Sequence, residues 1–537
     1  MTPTRRNVLL FAGGAAAGTA LSPAPWRLIT DAALWSENWP GVPAPPRGEI
    51  RTRFTNCSLC RAGCAVRARS VGDQPVQLAG VTAHPQSRGA LCPFGIAAHH
   101  LPFHPARLRE GSVDAARVAI SGRVGVLDLR PGRTASWTYR RAMAAMNGIY
   151  IAHEPPVAYD LHKARTVLSL GVPLLEGWGT PGNVWAARPN FHLIQAEPMQ
   201  SRTAALADEW LRIEPGTEEE VVARLASRLE AEGPALVLGH AGSSEETVFA
   251  HSEAPVPADW QKAAALVTRL EQVEDGSLDT LLIDESATDT YLPWYTIAPK
   301  LKPNAVVVTF TASRGGYARH ARFALPVAVF PEAAEDIPTA IDSPEATFRI
   351  STPLAAPPPG MVDPAGVVAD LAGLPKSDTL RERADAIHQS GRGTVFTPAD
   401  GKSLELKSFT ADAFWKALTD SATWIDEPGR RKRLPYLSEP TPRPSNVLFS
   451  PATPALLSPL MTKLYQESNL QLAPNRVAVN PADAPAGTRG LLQTELGKCA
   501  VEITTDPAVP PGAILVGSAP GILDICGPAA RAKVVAL

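Results

Sequence analysis

Four cysteines, Cys57, Cys60, Cys64 and Cys92, form the spacing C-x2-C-x3-C followed after 27 residues by a fourth thiol, and they are four of only six in 537 residues. Thiolates gathered near one short loop bind soft metals, so such a chain has to close that loop and a distant turn around one inorganic centre. Two chemistries suit the set, a 4Fe-4S cluster and a tetrahedral zinc, with disulfides as a third possibility. A zinc ribbon pairs two C-x2-C knuckles. Here three thiols crowd into eight residues and the last stands alone before Pro93, an asymmetry that favours a cubane. Arg61 rather than a histidine follows Cys60, so the C-x-x-C-H haem motif is absent.

The amino end bears on where such a centre works. Thr4-Arg5-Arg6-Asn7-Val8-Leu9-Leu10 leads into a Gly/Ala-rich apolar stretch through Leu21, with no acidic residue before Asp31. Residues 1–30 therefore read as a twin-arginine export signal, which suits a protein that folds around its cofactor before crossing a membrane. The apolar run is shorter than the ~20 residues that span a bilayer comfortably, although an uncleaved signal can tether a chain. The expected location is the periplasmic side of the inner membrane, with the chain peripheral and held there by membrane partners.

With 51 basic against 53 acidic residues the chain has no electrostatic footprint for nucleic acid. Proline, 53 residues, is about twice as frequent as average and implies many extended connections. Short runs rich in Val, Ile and Leu at 124–129, 166–171, 191–196, 235–239, 280–284 and 305–309 predict strands. Helix-period segments at 218–229 and 260–272 follow some of them, the pattern of parallel sheets covered by helices. Thr217 is placed to cap the first of these helices. Ligands in such α/β sheets lie beyond the carboxyl ends of the strands. Gly171, Gly177, Gly179 and Gly182 follow one such end, either as a phosphate-approaching loop or as a simple turn. Asp378 to Gln389 reads as a charged, solvated helix. His84, His99, His100 and His104 read as local hydrogen-bonding residues, and Cys499 and Cys526 as either a disulfide or two buried thiols.

In order along the chain these parts resemble the molybdopterin oxidoreductase superfamily. The resemblance rests on the cysteines and on Val167-Leu168-Ser169-Leu170-Gly171. It continues through Ile194-Gln195-Ala196-Glu197-Pro198, Thr203-Ala204, Ala207-Asp208, Pro215-Gly216-Thr217 and Ala324-Leu325-Pro326 with Glu332. Near the carboxyl end it includes Asn480-Pro481-Ala482-Asp483-Ala484, Gly497-Lys498 and Val509-Pro510-Pro511-Gly512. It implies an α/β multi-domain body. The iron–sulfur segment spans 48–110, Rossmann-like parallel-sheet domains 111–350, a Pro-rich linker with a helical segment 351–444, and a β-barrel-like domain 445–537. Gly171, Glu197 and Thr203 would be remnants of a pterin site.

Two departures from the family bear on activity. Cys92-Pro93-Phe94-Gly95 places an apolar ring where catalytic relatives carry a Lys or Arg between cluster and pterin. No cysteine lies between Gly111 and Asp160 to ligate molybdenum; Ser112, Asp114, Ser121, Asp128, Ser136 and Asp160 are chemically capable but read as turn residues. The branch that fits these losses is the noncatalytic molybdopterin-binding-like subunit of menaquinone reductases (the Qrc type) and of alternative complex III. The expectation is therefore an electron-transfer and structural subunit of a quinone oxidoreductase complex, with one 4Fe-4S cluster, no molybdopterin and no catalytic residue of its own. Its partners would be a multihaem cytochrome c, a ferredoxin-like Fe-S subunit and an integral quinone-binding subunit. The alternatives are a catalytic molybdenum or tungsten bis-pterin oxidoreductase, and a zinc-stabilised assembly scaffold.

Overall fold

The computed structural model describes residues 4–21, 48–104, 107–152, 157–239, 243–250, 253–286, 290–375, 377–436, 443–449, 475–517, 519–527 and 530–537. The amino-terminal helix Arg5–Leu21 exposes Leu9, Leu10 and Phe11, and no helix among the described residues is long and apolar enough to cross a membrane. Asp31 and the prolines at 40–46 lie outside the described residues.

A three-stranded antiparallel sheet, Ile50–Asn56, Ala65–Val71 and Gln74–Gly80, carries the cysteine loop between its first two strands. Behind it stands a fully parallel six-stranded sheet. Its order is Val267–Thr268, Ile149–Ala152, Val124–Asp128, Leu278–Glu285, Leu301–Thr311 and Phe323–Pro326. The near-continuous burial of Val124–Asp128 and Leu278–Glu285 is what parallel strands covered on both faces require. A second parallel sheet orders Ala235–Leu238, Thr166–Leu170, His192–Glu197 and Glu209–Arg212. All six runs expected to be strands are strands of these two parallel sheets.

One helix expectation fails. The segment 260–272 divides into a short helix Ala258–Lys262, an edge strand Val267–Thr268 and a single 3-10 turn. Pairing of the β-branched Val267 and Thr268 with Tyr150 and Ile151 outweighs a helical period in which Leu266 is left exposed. The helix Glu218–Ala231 forms as expected, with Thr217 at its N-cap position, but the Thr217 hydroxyl donates back to Glu214 O at 2.7 Å and caps nothing.

Between 351 and 444 the chain contains more than connections. Helices Pro364–Leu371, Thr379–Ser390 and Ala411–Thr419 accompany the antiparallel strands Thr394–Thr397, Lys402–Glu405 and Thr423–Pro428, which join Glu345–Ser351 in a five-stranded sheet. Trp424, Phe414 and Ile387 are buried in its core. The carboxyl-terminal part is a mixed six-stranded sheet in which Arg476–Val479 runs parallel to Gly497–Thr505 and antiparallel to Ile514–Val516.

The cysteine segment is no appendage. Cys57, Cys64, Phe94 and Leu101 share one apolar core with Val124, Val126, Val308 and Phe310 of the six-stranded sheet. Glu332 closes this junction by accepting two hydrogen bonds from the buried Arg107 guanidinium. A paired, doubly bonded ion pair of this kind locates the two segments relative to each other.

Candidate metal centre

Cys57 directly follows the first strand of the small sheet, and its N–H donates to Cys64 O at 2.9 Å, which closes the eight-residue loop on itself. Gly63, at φ +54, supplies the left-handed residue this tight closure needs. Cys92 arrives from the other side as the N-cap of the short helix Pro93–Ala97, where its sulfur accepts the Gly95 N–H at 3.4 Å. All four thiols line one cavity with Leu59, Gly63 and Leu91. Cys57 and Cys64 are buried, and Cys60 and Cys92 are half-exposed.

Three distant residues hold the loop's carbonyls. Arg130 donates to Ser58 O, Thr180 Oγ1 to Ala62 O at 3.4 Å, and Arg349 to Gly63 O at 2.8 Å. The glycine-rich segment after Thr166–Leu170 supplies the remaining wall through Gly177, Gly179 and Pro181. That loop meets the thiols rather than standing apart as a phosphate cradle. Gly179 is needed there because a Cβ would come within 2.8 Å of the Asp342 carboxyl carbon.

The electrostatics suit a cationic core. Burial first, then the neighbouring thiols, pushes Cys57 and Cys64 well above the ordinary cysteine range. Burial also raises Cys92, against the backbone N–H groups of Gly95 and Phe94. Four thiolates in this space are unfavourable unless iron or another cation neutralises them, so metal binding and ionisation go together. Among the described residues no three His, Cys, Asp or Glu side chains are placed to hold a metal ion jointly. A single zinc draws its sulfurs to about 2.3 Å from one point. The four cysteines line one cavity, and their number and spacing suit the ligand set of a 4Fe-4S cluster.

Glu197 and Thr203, two of the residues expected as pterin-site remnants, are engaged by their local neighbours. Glu197 is buried, and its carboxylate accepts from Gln195 Nε2 at 2.8 Å and from Ser201 N at 2.7 Å. Thr203 donates to Glu176 at 3.2 Å and accepts from Leu175 N at 3.3 Å. Gly171, at φ +63, ends its strand beside open space.

In the six-stranded sheet the strand order reverses between Val124–Asp128 and Leu278–Glu285, the place where a doubly wound sheet ordinarily takes a ligand. Asp128 and Asp284 face each other across that junction in register. Arg133 lies between them, at 3.3 and 2.6 Å, and also pairs with Glu335 at 3.2 Å. Tyr139 donates to Asp284 at 2.7 Å and Tyr150 to Asp128 at 2.9 Å. Burial opposes the Asp284 charge, and Arg133, Ser286 and Tyr139 overcome it, holding the carboxyl below its ordinary range. These groups are paired with one another.

The other chemically capable residues, read from the sequence as turn or local hydrogen-bonding groups, lie as follows. Ser112 caps Val113–Ala119 by accepting Ala115 N, Ser136 accepts Arg133 N, and Asp160 accepts His162 N. Asp114 lies in the first turn of Val113–Ala119, and Ser121 donates its N–H to Thr280. His84 is buried with Nδ1 accepting from Gln86 N and Ser87 N. The His99 and His100 rings lie 4.0 Å apart, tilted by 41°, and His104 is buried. Cys499 and Cys526 are free thiols. Arg130, Arg349 and Thr180 are absent from the sequence reading, since they reach the loop from 72 to 286 residues away.

Comparison with known proteins agrees with this geometry. Residues 50–100 match the molybdopterin oxidoreductase Fe4S4 domain. The chain is 29% identical over 277 residues to the menaquinone reductase, molybdopterin-binding-like subunit of Nitratidesulfovibrio vulgaris strain Hildenborough. That alignment covers 43% of this chain and spans 40% of the relative's length. Acetylene hydratase from Pelobacter acetylenicus superposes with a TM-score of 0.60 at 12% identity, over 87% of this chain and 92% of the other. The chain thus has an Fe4S4 segment of the molybdopterin oxidoreductase type at the head of a body with the molybdopterin oxidoreductase fold.

Proposed function

We propose that this chain is an electron-transfer and structural subunit of a membrane-associated quinone oxidoreductase complex, with one 4Fe-4S cluster on Cys57, Cys60, Cys64 and Cys92 and no molybdenum. The observation that carries the reading is the convergence of those four thiols on one cavity, in the segment that matches an Fe4S4 domain. A cluster bound there supplies one-electron transfer. The chain's own part is to hold it: Arg130, Thr180 and Arg349 fix the loop, and the Cys92 sulfur takes a backbone N–H, a contact that tunes potential.

The absence of molybdenum is supported by the mutual pairing of Asp128, Arg133 and Asp284 at the switch point and by the engaged carboxylate of Glu197. Assembly into a quinone-reducing complex is supported by the similarity to a menaquinone reductase subunit. In that setting the partners are a multihaem cytochrome c, a ferredoxin-like Fe-S subunit and an integral quinone-binding subunit. The place of work is the periplasmic face of the inner membrane, reached by the twin-arginine route that Arg5 and Arg6 suggest.

Iron, molybdenum and zinc analysis of the purified complex, with EPR, tests the reading. It expects iron and a 4Fe-4S signal that require this subunit. Stoichiometric molybdenum with pterin points to a catalytic enzyme, and zinc without iron or visible absorption points to a scaffold; either result overturns it.

A further inference from the structure

Among the described residues, buried arginines in this molecule meet carboxylates, with one exception. Arg107 pairs with Glu332, Arg130 with Glu335, Arg133 with Asp128 and Asp284, and Arg383 with Asp336. Arg349, on the buried strand Glu345–Ser351, is fully buried and forms no ion pair with a carboxylate. Its Nη1 donates to Gly63 O at 2.8 Å and its Nη2 to Thr347 Oγ1 at 3.3 Å, while Nε has no hydrogen-bond partner. A buried cation without a counterion is costly and survives only where something compensates it.

What faces this cation is the cysteine loop. A Cβ on Gly63 would come within 2.8 Å of both the Arg349 guanidinium carbon and Nε, so the guanidinium lies directly against the backbone between Cys60 and Cys64. The neighbouring negative groups that act on it are, in order, the Cys64 sulfur, the Asp342 carboxylate and the Cys60 sulfur. Asp342 is itself engaged by Thr180 and Asn183. After Cys92, where a cation could have stood, the chain places the buried ring of Phe94.

We infer that Arg349 is the built-in countercharge of the metal centre: a permanent buried cation held against the Cys60–Cys64 loop, which favours the reduced over the oxidised cluster and so raises its midpoint potential. This rests on the 4Fe-4S reading above. A 4Fe-4S core with four thiolates is net negative and becomes more so when it accepts an electron from a one-electron donor. A fixed positive charge therefore stabilises the reduced form more, and no proton moves because the guanidinium stays protonated. Arg349 is in this sense a potential-setting residue, not a ligand.

The test is a mediator-controlled redox titration of the full chain in its complex, with dithionite as reductant and the reduced cluster read by EPR, for wild type, Arg349→Gln and Arg349→Lys. At the wild-type midpoint, R349Q should show the reduced-to-oxidised ratio fallen at least about tenfold, which is about 59 mV for one electron. R349K, which keeps the charge, should stay within about threefold of wild type. A midpoint unchanged in an iron-replete R349Q overturns the inference, as does an equal displacement in both variants. If R349Q sheds its iron, R349K decides alone: a ratio within about threefold sustains the inference and a tenfold displacement with the charge present overturns it. Wild-type protein without iron would instead defeat the underlying cluster reading, so the two failures are distinguishable.

Discussion

Around Cys57, Cys60, Cys64 and Cys92 the chain encloses a void with four thiols, whereas at the ends of Val124–Asp128 and Leu278–Glu285 it closes two carboxylates onto Arg133. Both places are buried and both are where the fold ordinarily serves a cofactor. In the first, burial raises the thiols, and among the described residues Arg349 forms no direct ion pair with a carboxylate. In the second, each acid and base answers another, and the site is complete without a ligand. The difference teaches that one frame can gather four cysteines around a cavity and, at a nearby switch point, close an ion-pair core on itself.

The largest effect that sharpens this contrast is on the thiol side. Cys64→Ser should abolish cluster retention, taking iron from about four per chain to near zero and removing the visible absorption, because three thiolates and a hydroxyl cannot neutralise and cage the core as four thiolates do. Iron retained at the wild-type level in that variant would break the assignment of the ligand set.

Next in size is the closed side. Arg133→Met leaves Asp128 and Asp284 buried without their cation, and should lower unfolding stability by about 3–5 kcal/mol in denaturant titration. Molybdenum should not appear in the variant. A neutral result would mean the pair is solvated and the place open.

A gradual effect comes from pH. Burial pushes Glu285, at the end of its strand, from 4.5 up to about 8, so the folded state holds a proton that the unfolded chain releases above 4.5. Its stabilising contribution is thus complete below about 4.5 and is lost as pH climbs toward 8. His84 runs the other way. Burial and then Arg349 lower it from 6.5 to about 3, so stability is present above 6.5 and is lost as pH falls toward 3. Thermal unfolding across pH 5 to 8 should lose part of its slope, at most about 1.4 kcal/mol per unit, in Glu285→Gln. An unchanged slope contradicts the buried, protonated carboxyl.

The smallest effect is at Glu197. Glu197→Gln should leave iron content and the EPR signal untouched and cost about 1 kcal/mol, since only local bonds to Gln195 and Ser201 change. Loss of the redox signal there would show that Glu197 serves a ligand.

Much of this was legible in the sequence. Parallel strands announce themselves as short runs of Val, Ile and Leu because both faces are covered, and metal ligands announce themselves because thiols are rare and closely spaced. The stretch 260–272 misled because Leu266 and Leu270 have helical spacing, whereas the edge of the sheet offers Val267 and Thr268 backbone partners that no local signal reveals. Thr217 misled for a local reason, its hydroxyl turning back to Glu214. Arg349 and Arg133 were invisible: an arginine in a strand or a helix start looks like any other until the fold brings Gly63 or Asp284 to it from 286 and 151 residues away.

The most direct single measurement is an experimental density map of the chain within its complex, read at both places. The account predicts cubane density in contact with the sulfurs of Cys57, Cys60, Cys64 and Cys92, and an Arg133 side chain between Asp128 and Asp284. Pterin density at those strand ends with Arg133 displaced, or a single metal ion among the thiols, would contradict it.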